Sequence, residues 1–211
     1  MSAAAVAVTA ICSEWTPVQL AKFLDYVTAH RLCGCFALTL LGLRREEVGG
    51  LCWSDIELDT GALHIRLARV DVNGRDTIVP TKTERSARGL PVPPRELAML
   101  RALRSVHLRE RLAVGRPLSD ADLLLSRVDG TWLPVRDYSR EFAAQRTAAG
   151  FEAITLGKLR HSNISRMCAA GIAAAVVAAW HGHTERMIQA VYGRVTDDPP
   201  DRSRGRLLLS G

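Results

Sequence analysis

From Thr16 onward, apolar positions recur at helical spacing in one segment after another, and a single region departs from that rhythm. "VQLAKFLDYVTAH" brings Leu20, Phe23, Leu24 and Val27 onto one face. Ahead of it stand Thr16 and Pro17, a hydroxyl suited to an N-cap and a proline suited to the first turn. "GCFALTLLG" predicts a short buried helix ending at Gly42, and "RREEVGGLCWSDIEL" reads as helical at first, then extended. The rhythm changes at "ALHIRLARV" and "RDTIVPT", two strand-like runs joined through Asp71-Val72-Asn73-Gly74, where Asn-Gly is a strong hairpin signal. "ARGLPVP" supplies a third strand. Helical spacing returns from Pro94 to about Leu112, then near Val135 to Ala149, Leu156 to Ala170, Ala173 to Trp180 and Thr184 to about Tyr192. The expected fold is mainly α, with a small three-stranded antiparallel β-sheet between about Ala62 and Val92.

Composition narrows the class. At 211 residues the chain can bury a core without a disulfide or metal staple. Few aromatics and abundant Ala, Leu and Arg favour helices. Five cysteines in no regular framework point to free thiols in a reducing compartment. Cys33 and Cys35 form a C-x-C, but no second pair lies at zinc-site spacing, and buried small hydrophobes are the better reading. A net charge of +6 suits a polyanionic partner, nucleic acid first, although an arginine-rich proteome gives the same number. No stretch approaches the roughly 18 apolar residues of a membrane span. The opening "MSAAAVAVTAIC" lacks the basic start of a signal peptide, so the expected location is the cytoplasm.

Four segments occur in a recognisable order. "GLRREEVGGLCWSDIEL" (Gly42 to Leu58) resembles the first catalytic box of the tyrosine recombinases, or phage-type integrases. "TKTERSARGLPVP" (Thr81 to Pro93) resembles that family's lysine-bearing hairpin, and "LRHSNISRMCAAGI" (Leu159 to Ile172) its second arginine box. "WHGHTERMIQAVYGRV" (Trp180 to Val195) is similar to the box that pairs Gly-His with a tyrosine nine residues on. Each segment alone is weak; their order and spacing are specific. The resemblance implies the recombinase catalytic-domain fold over residues 15–195, after an extension at 1–14 and before a tail at 196–211. It also implies that no N-terminal core-binding domain precedes the catalytic domain here.

The resemblance assigns roles. Breaking a phosphodiester without a metal needs a nucleophile, cations on the non-bridging oxygens and an acid for the leaving oxygen. Tyr192 would be the nucleophile, forming a 3′-phosphotyrosyl link. Arg44 and Arg160 would clamp the phosphate, Lys82 would protonate the 5′ oxygen, and His183 would bond a phosphate oxygen. Glu47 would orient Arg44 rather than touch DNA. Neither a cofactor nor a metal is expected. Taken singly, these residues read otherwise: Tyr192 as a core tyrosine, Lys82 as a solvated turn lysine, Arg44 as part of a salt-bridged surface. His181 and His183 together suggest a metal pair, without further ligands at suitable spacing.

One position departs from the family. Three residues before the second arginine the family carries a histidine, and here that place is Gly157, in "TLGKLRH". Glycine can neither move a proton nor bond a phosphate. Losing a general acid–base group costs about 10²–10⁴-fold, so Gly157 points to a weakened enzyme before a dead one. Two readings compete with the enzyme: a degenerate integrase remnant that only binds DNA or a partner, and a type IB topoisomerase. The expected partner is double-stranded DNA, with self-association or association with a full-length integrase as further options and no membrane. The C-terminal "RLLLSG" would suit exchange with a neighbouring subunit, or docking on its own domain.

Overall fold

Thr16 opens the first helix as its sequence predicts. Its hydroxyl accepts the Gln19 amide at 3.2 Å, while its own amide donates to the Gln19 side-chain oxygen at 2.8 Å. Helix α1 (Pro17–Val27) then buries Leu20, Phe23, Leu24 and Val27. This computed structural model describes residues 15–81 and 86–192. Lys82, the extension at 1–14 and the tail at 196–211 lie outside the described residues, and for Val191 and Tyr192 only the backbone is described.

Among the described residues the remaining helices are α2 (Cys33–Leu40), α3 (Arg45–Gly50), α4 (Pro94–Ala113), α5 (Val135–Ala148), α6 (Leu156–Ala169), α7 (Ala174–His181) and α8 (Glu185–Tyr192). Every residue of α2 is buried, as an apolar helix at the centre of a core requires. All four phenylalanines of the chain gather with Trp15 around it. Their ring centroids stand 4.9 Å apart for Trp15–Phe151 and 5.4 Å apart for Phe23–Phe142, tilted and edge-on pairs that each add about 0.5–1.5 kcal/mol beyond area burial. That cluster fastens α1, α2 and α5 to the segment just before α6. A second, smaller core of Ile164, Cys168, Val177, Ala178 and Ile188 holds α6, α7 and α8 together.

The mainly helical fold with small antiparallel sheets agrees with the sequence, and so does the hairpin; the single three-stranded sheet does not. "ALHIRLARV" divides at Arg66 into β2 (Ala62–Ile65) and β3 (Leu67–Val72). The three-stranded sheet runs β1-β2-β5, with β1 at Ile56–Glu57 and β5 at Arg88–Pro91, while among the described residues β3 pairs with β4 (Arg75–Pro80) alone. At the break Arg66 donates to the Asp55 carboxylate through Nε at 2.8 Å, so the chain changes sheets around an ion pair. The Asn-Gly turn forms as expected: Asn73 at φ 53° and Gly74 at φ 80° take the left-handed conformations that a tight hairpin demands. Gly50 ends α3 against β3, where a Cβ would meet the Leu67 carbonyl oxygen at 2.8 Å. This close approach sets α3, and the arginine that precedes it, over the hairpin.

No helix of the described residues is long and apolar enough to cross a membrane.

Candidate active site

Arg44 occupies the N-cap position of α3 in extended backbone geometry, and Glu47 stands at the third helical position. From there the Glu47 carboxylate accepts the Arg44 amide at 2.9 Å and the Arg44 Nη1 at 2.8 Å. Arg88, at the start of β5, approaches from the other side: its Nη1 and Nη2 each donate to one Glu47 oxygen at 3.0 Å. Arg160 Nη1 lies 3.8 Å from the same carboxylate. Glu47 is 2% exposed. Burial pushes its carboxyl up, but the bonds and charge of Arg88, the Arg44 amide and the charge of Arg160 outweigh it and hold it below the ordinary value. Three guanidiniums thus share one buried carboxylate, and the cluster keeps a surplus of positive charge.

Arg160 reaches this cluster from the first turns of α6, where Thr155 caps the helix by accepting the Lys158 amide at 3.2 Å. Its Nη1 donates to the Gly42 carbonyl at 2.6 Å and its Nη2 to the His181 carbonyl. The same Nη2 lies 3.2 Å from His183 Nε2. Burial, then Arg160, Arg44, Arg88 and His161, lowers the His183 pKa to about 4. A neutral ring at neutral pH can accept from the guanidinium through Nε2. His181 is fully buried, with a pKa lowered to about 3 by burial, Arg160, His183 and Arg88. The two rings stand 6.3 Å apart. No group of three or more His, Cys, Asp or Glu among the described residues could hold a metal ion.

An open pocket of about 440 Å³ lies beside these residues, lined by Arg44, Arg45, Arg146, Arg160 and Gly157 over a floor that includes Phe142. A Cβ added at Gly157 would find no neighbour nearer than Thr155 Oγ1, at 3.9 Å. A second cavity of about 410 Å³ joins Arg44 and Glu47 to Thr81 and Ser86, the residues flanking the segment that carries Lys82. The structure therefore brings together Arg44, Glu47, Arg160 and His183, with the Gly157 position beside them. Lys82 and the Tyr192 side chain fall outside the described residues; the Tyr192 backbone ends α8, the helix that follows His183.

Arg88 was missed by sequence reasoning. The signal was present in period-two alternation: Arg88 shares a strand face with Leu90, which is buried, so an inward arginine was legible.

Comparison with known proteins gives the same picture. The model of the phage integrase family matches residues 18–198. A tyrosine recombinase XerC-like protein of Caldanaerobacter subterraneus subsp. tengcongensis is 25% identical over 186 residues, 82% of this chain and 47% of that protein. The Tn1549 transposon integrase, solved with transposon right-end DNA, superposes with a TM-score of 0.66 at 20% identity, over 85% of this chain and 60% of that one. XerA recombinase superposes with a TM-score of 0.62 at 16% identity, over 83% and 56% of the two chains. The chain spans about half the length of the curated relative it matches.

Proposed function

The chain belongs to the phage integrase family, and from that premise we propose that it breaks and rejoins double-stranded DNA through a 3′-phosphotyrosyl intermediate at Tyr192. The observation that carries this reading is the convergence of Arg44, Arg160 and His183 around Glu47. A phosphodiester carries its charge on two non-bridging oxygens, and two guanidiniums held at fixed positions stabilise the extra charge of the pentacoordinate transition state. Glu47 holds Arg44 in place before DNA arrives, so little reorganisation remains for the chemical step. His183 adds a bond to a phosphate oxygen.

In the reaction the Tyr192 phenol gives its proton to solvent water as its oxygen bonds to phosphorus and the bond from phosphorus to the 5′ oxygen breaks. Lys82 gives the 5′ oxygen its proton. The phosphotyrosyl bond keeps the energy of the cleaved one, and the reverse steps rejoin the strand. Gly157 leaves the family's histidine place empty, and the rate falls accordingly. The transposon right-end DNA bound by the Tn1549 integrase supports DNA as the partner here. The free thiols of Cys33, Cys35, Cys52 and Cys168 support a reducing compartment, the cytoplasm.

Gly157 also favours a second reading, a module that binds DNA or a larger integrase without cutting. A duplex nicked near the cleavage site separates the two. Release of the short fragment traps the covalent adduct, which forms in the wild type and disappears in Tyr192→Phe if the enzyme reading holds. DNA binding with no adduct would leave the binding module standing. Adduct formation with site-independent plasmid relaxation would instead indicate a topoisomerase.

A further inference from the structure

We propose that Arg146 binds a second phosphate of the DNA backbone, next to the one that Arg44 and Arg160 hold; the proposal rests on DNA being the substrate, as in the reading above. Ser139, Phe142, Ala143 and Arg146 stand at helical spacings of three and four along α5 and share one face. That face is one wall of the pocket of about 440 Å³, whose other walls carry Arg44, Arg45 and Arg160.

The four arginines of this pocket differ in how their charge is met. Arg44 and Arg160 face the buried Glu47, at 2.8 Å and 3.8 Å. Arg45 pairs at 2.6 Å with Glu46, the one carboxylate that lines the pocket among the described residues. Arg146 alone of the four has no carboxylate at ion-pair distance among the described residues. Its Nη1 donates to the Ile154 carbonyl at 2.8 Å, its Nη2 lies 3.5 Å from Thr147 Oγ1, and its buried Nε has no acceptor. Burial disfavours a charge that nothing compensates, and the negative end of the α5 dipole amounts to only about half a charge. An anion in the pocket supplies what is missing. A guanidinium has five N–H donors, so the Ile154 and Thr147 contacts leave one on each terminal nitrogen for phosphate oxygens. Each DNA strand carries a phosphate about every 3.4 Å of axis, so a backbone seated on Arg44 and Arg160 brings the next phosphate along the same pocket. Such a contact carries no sequence information; it fixes the register of the backbone over the site, which makes Arg146 a positioning residue.

The test is the salt dependence of binding between the full chain and a fluorescent duplex of mixed sequence. Each neutralised phosphate contributes about 0.9 to the slope of log affinity against log salt. Arg146→Gln is expected to weaken binding and to lower that slope by about 0.9. Arg146→Lys, which keeps the charge but not the fork, is expected to keep the slope. Weaker binding at an unchanged slope in Arg146→Gln would mean that Arg146 only reinforces the phosphate of Arg44 and Arg160, and would overturn the proposal. Equal slope losses in Arg146→Gln and Arg146→Lys would overturn it as well, since the clamp on Ile154 rather than the charge would then set the effect. Duplex binding that ignores Arg146→Gln altogether sinks this inference alone; absence of duplex binding by the wild type sinks it together with the strand-breaking reading.

Discussion

Arg88 holds Glu47 with both arms of its fork, one nitrogen on each carboxylate oxygen at 3.0 Å. The pair joins β5 to α3, and Arg88 Nε donates to the Trp180 carbonyl in α7 at 2.7 Å. One side chain thus locks three elements around the carboxylate that positions Arg44. The side chains of Arg88 and Glu47 are only 7% and 3% exposed, so solvent cannot replace either partner. Breaking a buried pair of this kind costs about 3–5 kcal/mol. Arg88→Ala should lower the urea midpoint by a corresponding amount, and Arg88→Lys by less. A midpoint unchanged in Arg88→Ala would mean that Arg44 and Arg160 satisfy Glu47 without it.

Gly42 should tolerate no side chain. It sits at φ 94°, and an added Cβ would lie 2.4 Å from His181 Cε1. The left-handed backbone alone costs a non-glycine residue about 1–3 kcal/mol. The steric conflict adds to it, because His181 is fully buried against Arg160 and has nowhere to move. Gly42→Ala is expected to unfold at clearly lower urea than wild type, or to fail to accumulate. Wild-type stability would contradict the interlock of Gly42, His181 and Arg160.

Gly157 should accept a histidine without loss of stability. The position is helical and a Cβ there meets ordinary space, so the substitution also removes glycine's entropy cost. Gly157→His is expected to raise adduct formation about tenfold, roughly 1.4 kcal/mol of barrier. The measurement is the rate of covalent trapping at saturating nicked DNA. No gain with intact binding would place the rate deficit elsewhere.

Acid should destabilise the fold before carboxylates titrate. His107 and His181 have pKa values lowered to about 4 and about 3, mainly by burial, from an ordinary 6.5. Between those values the unfolded chain binds protons that the native one refuses, so stability is complete above about pH 6.5 and falls as pH drops. Each buried histidine contributes about 1.4 kcal/mol per pH unit inside that window. The urea midpoint should therefore decline from pH 7 to pH 5. His107→Gln, able to accept the Trp53 indole N–H now 3.3 Å from Nδ1, should flatten the decline. A midpoint constant over this range would refute the buried neutral state of both rings.

DNA binding should be weak and steeply dependent on salt. Phosphate contacts dominate such affinity, and each neutralised phosphate releases counterions. Arg44, Arg45, Arg146 and Arg160 line one pocket, so their contacts should fall together as salt rises. Titration of a fluorescent duplex between about 50 and 200 mM salt should show a loss of an order of magnitude or more. Salt-independent, sequence-specific binding would argue for base contacts in place of phosphate contacts.

The helices were legible in the sequence because their causes are local. A cap at Thr16, apolar residues three and four apart, and glycine at a terminus act within one or two turns, and α1 and α4 to α8 form close to where these signals put them. The Asn73-Gly74 turn is local in the same sense. The order of the motifs marked Arg44, Glu47, Arg160 and His183, and the fold brings those four together. Tertiary structure alone decided the rest. Strand runs are legible one at a time, but their partners are separated in sequence, and the break at Arg66 rests on an ion pair with Asp55. Alternation with Leu90 marks Arg88 as inward-facing, but its partner Glu47, 41 residues away, is set opposite its fork by the fold alone. Gly42 reads as a helix stop until His181 fills the space where its side chain would be. Each of these depends on packing and charge between residues far apart in the chain, which no local pattern encodes.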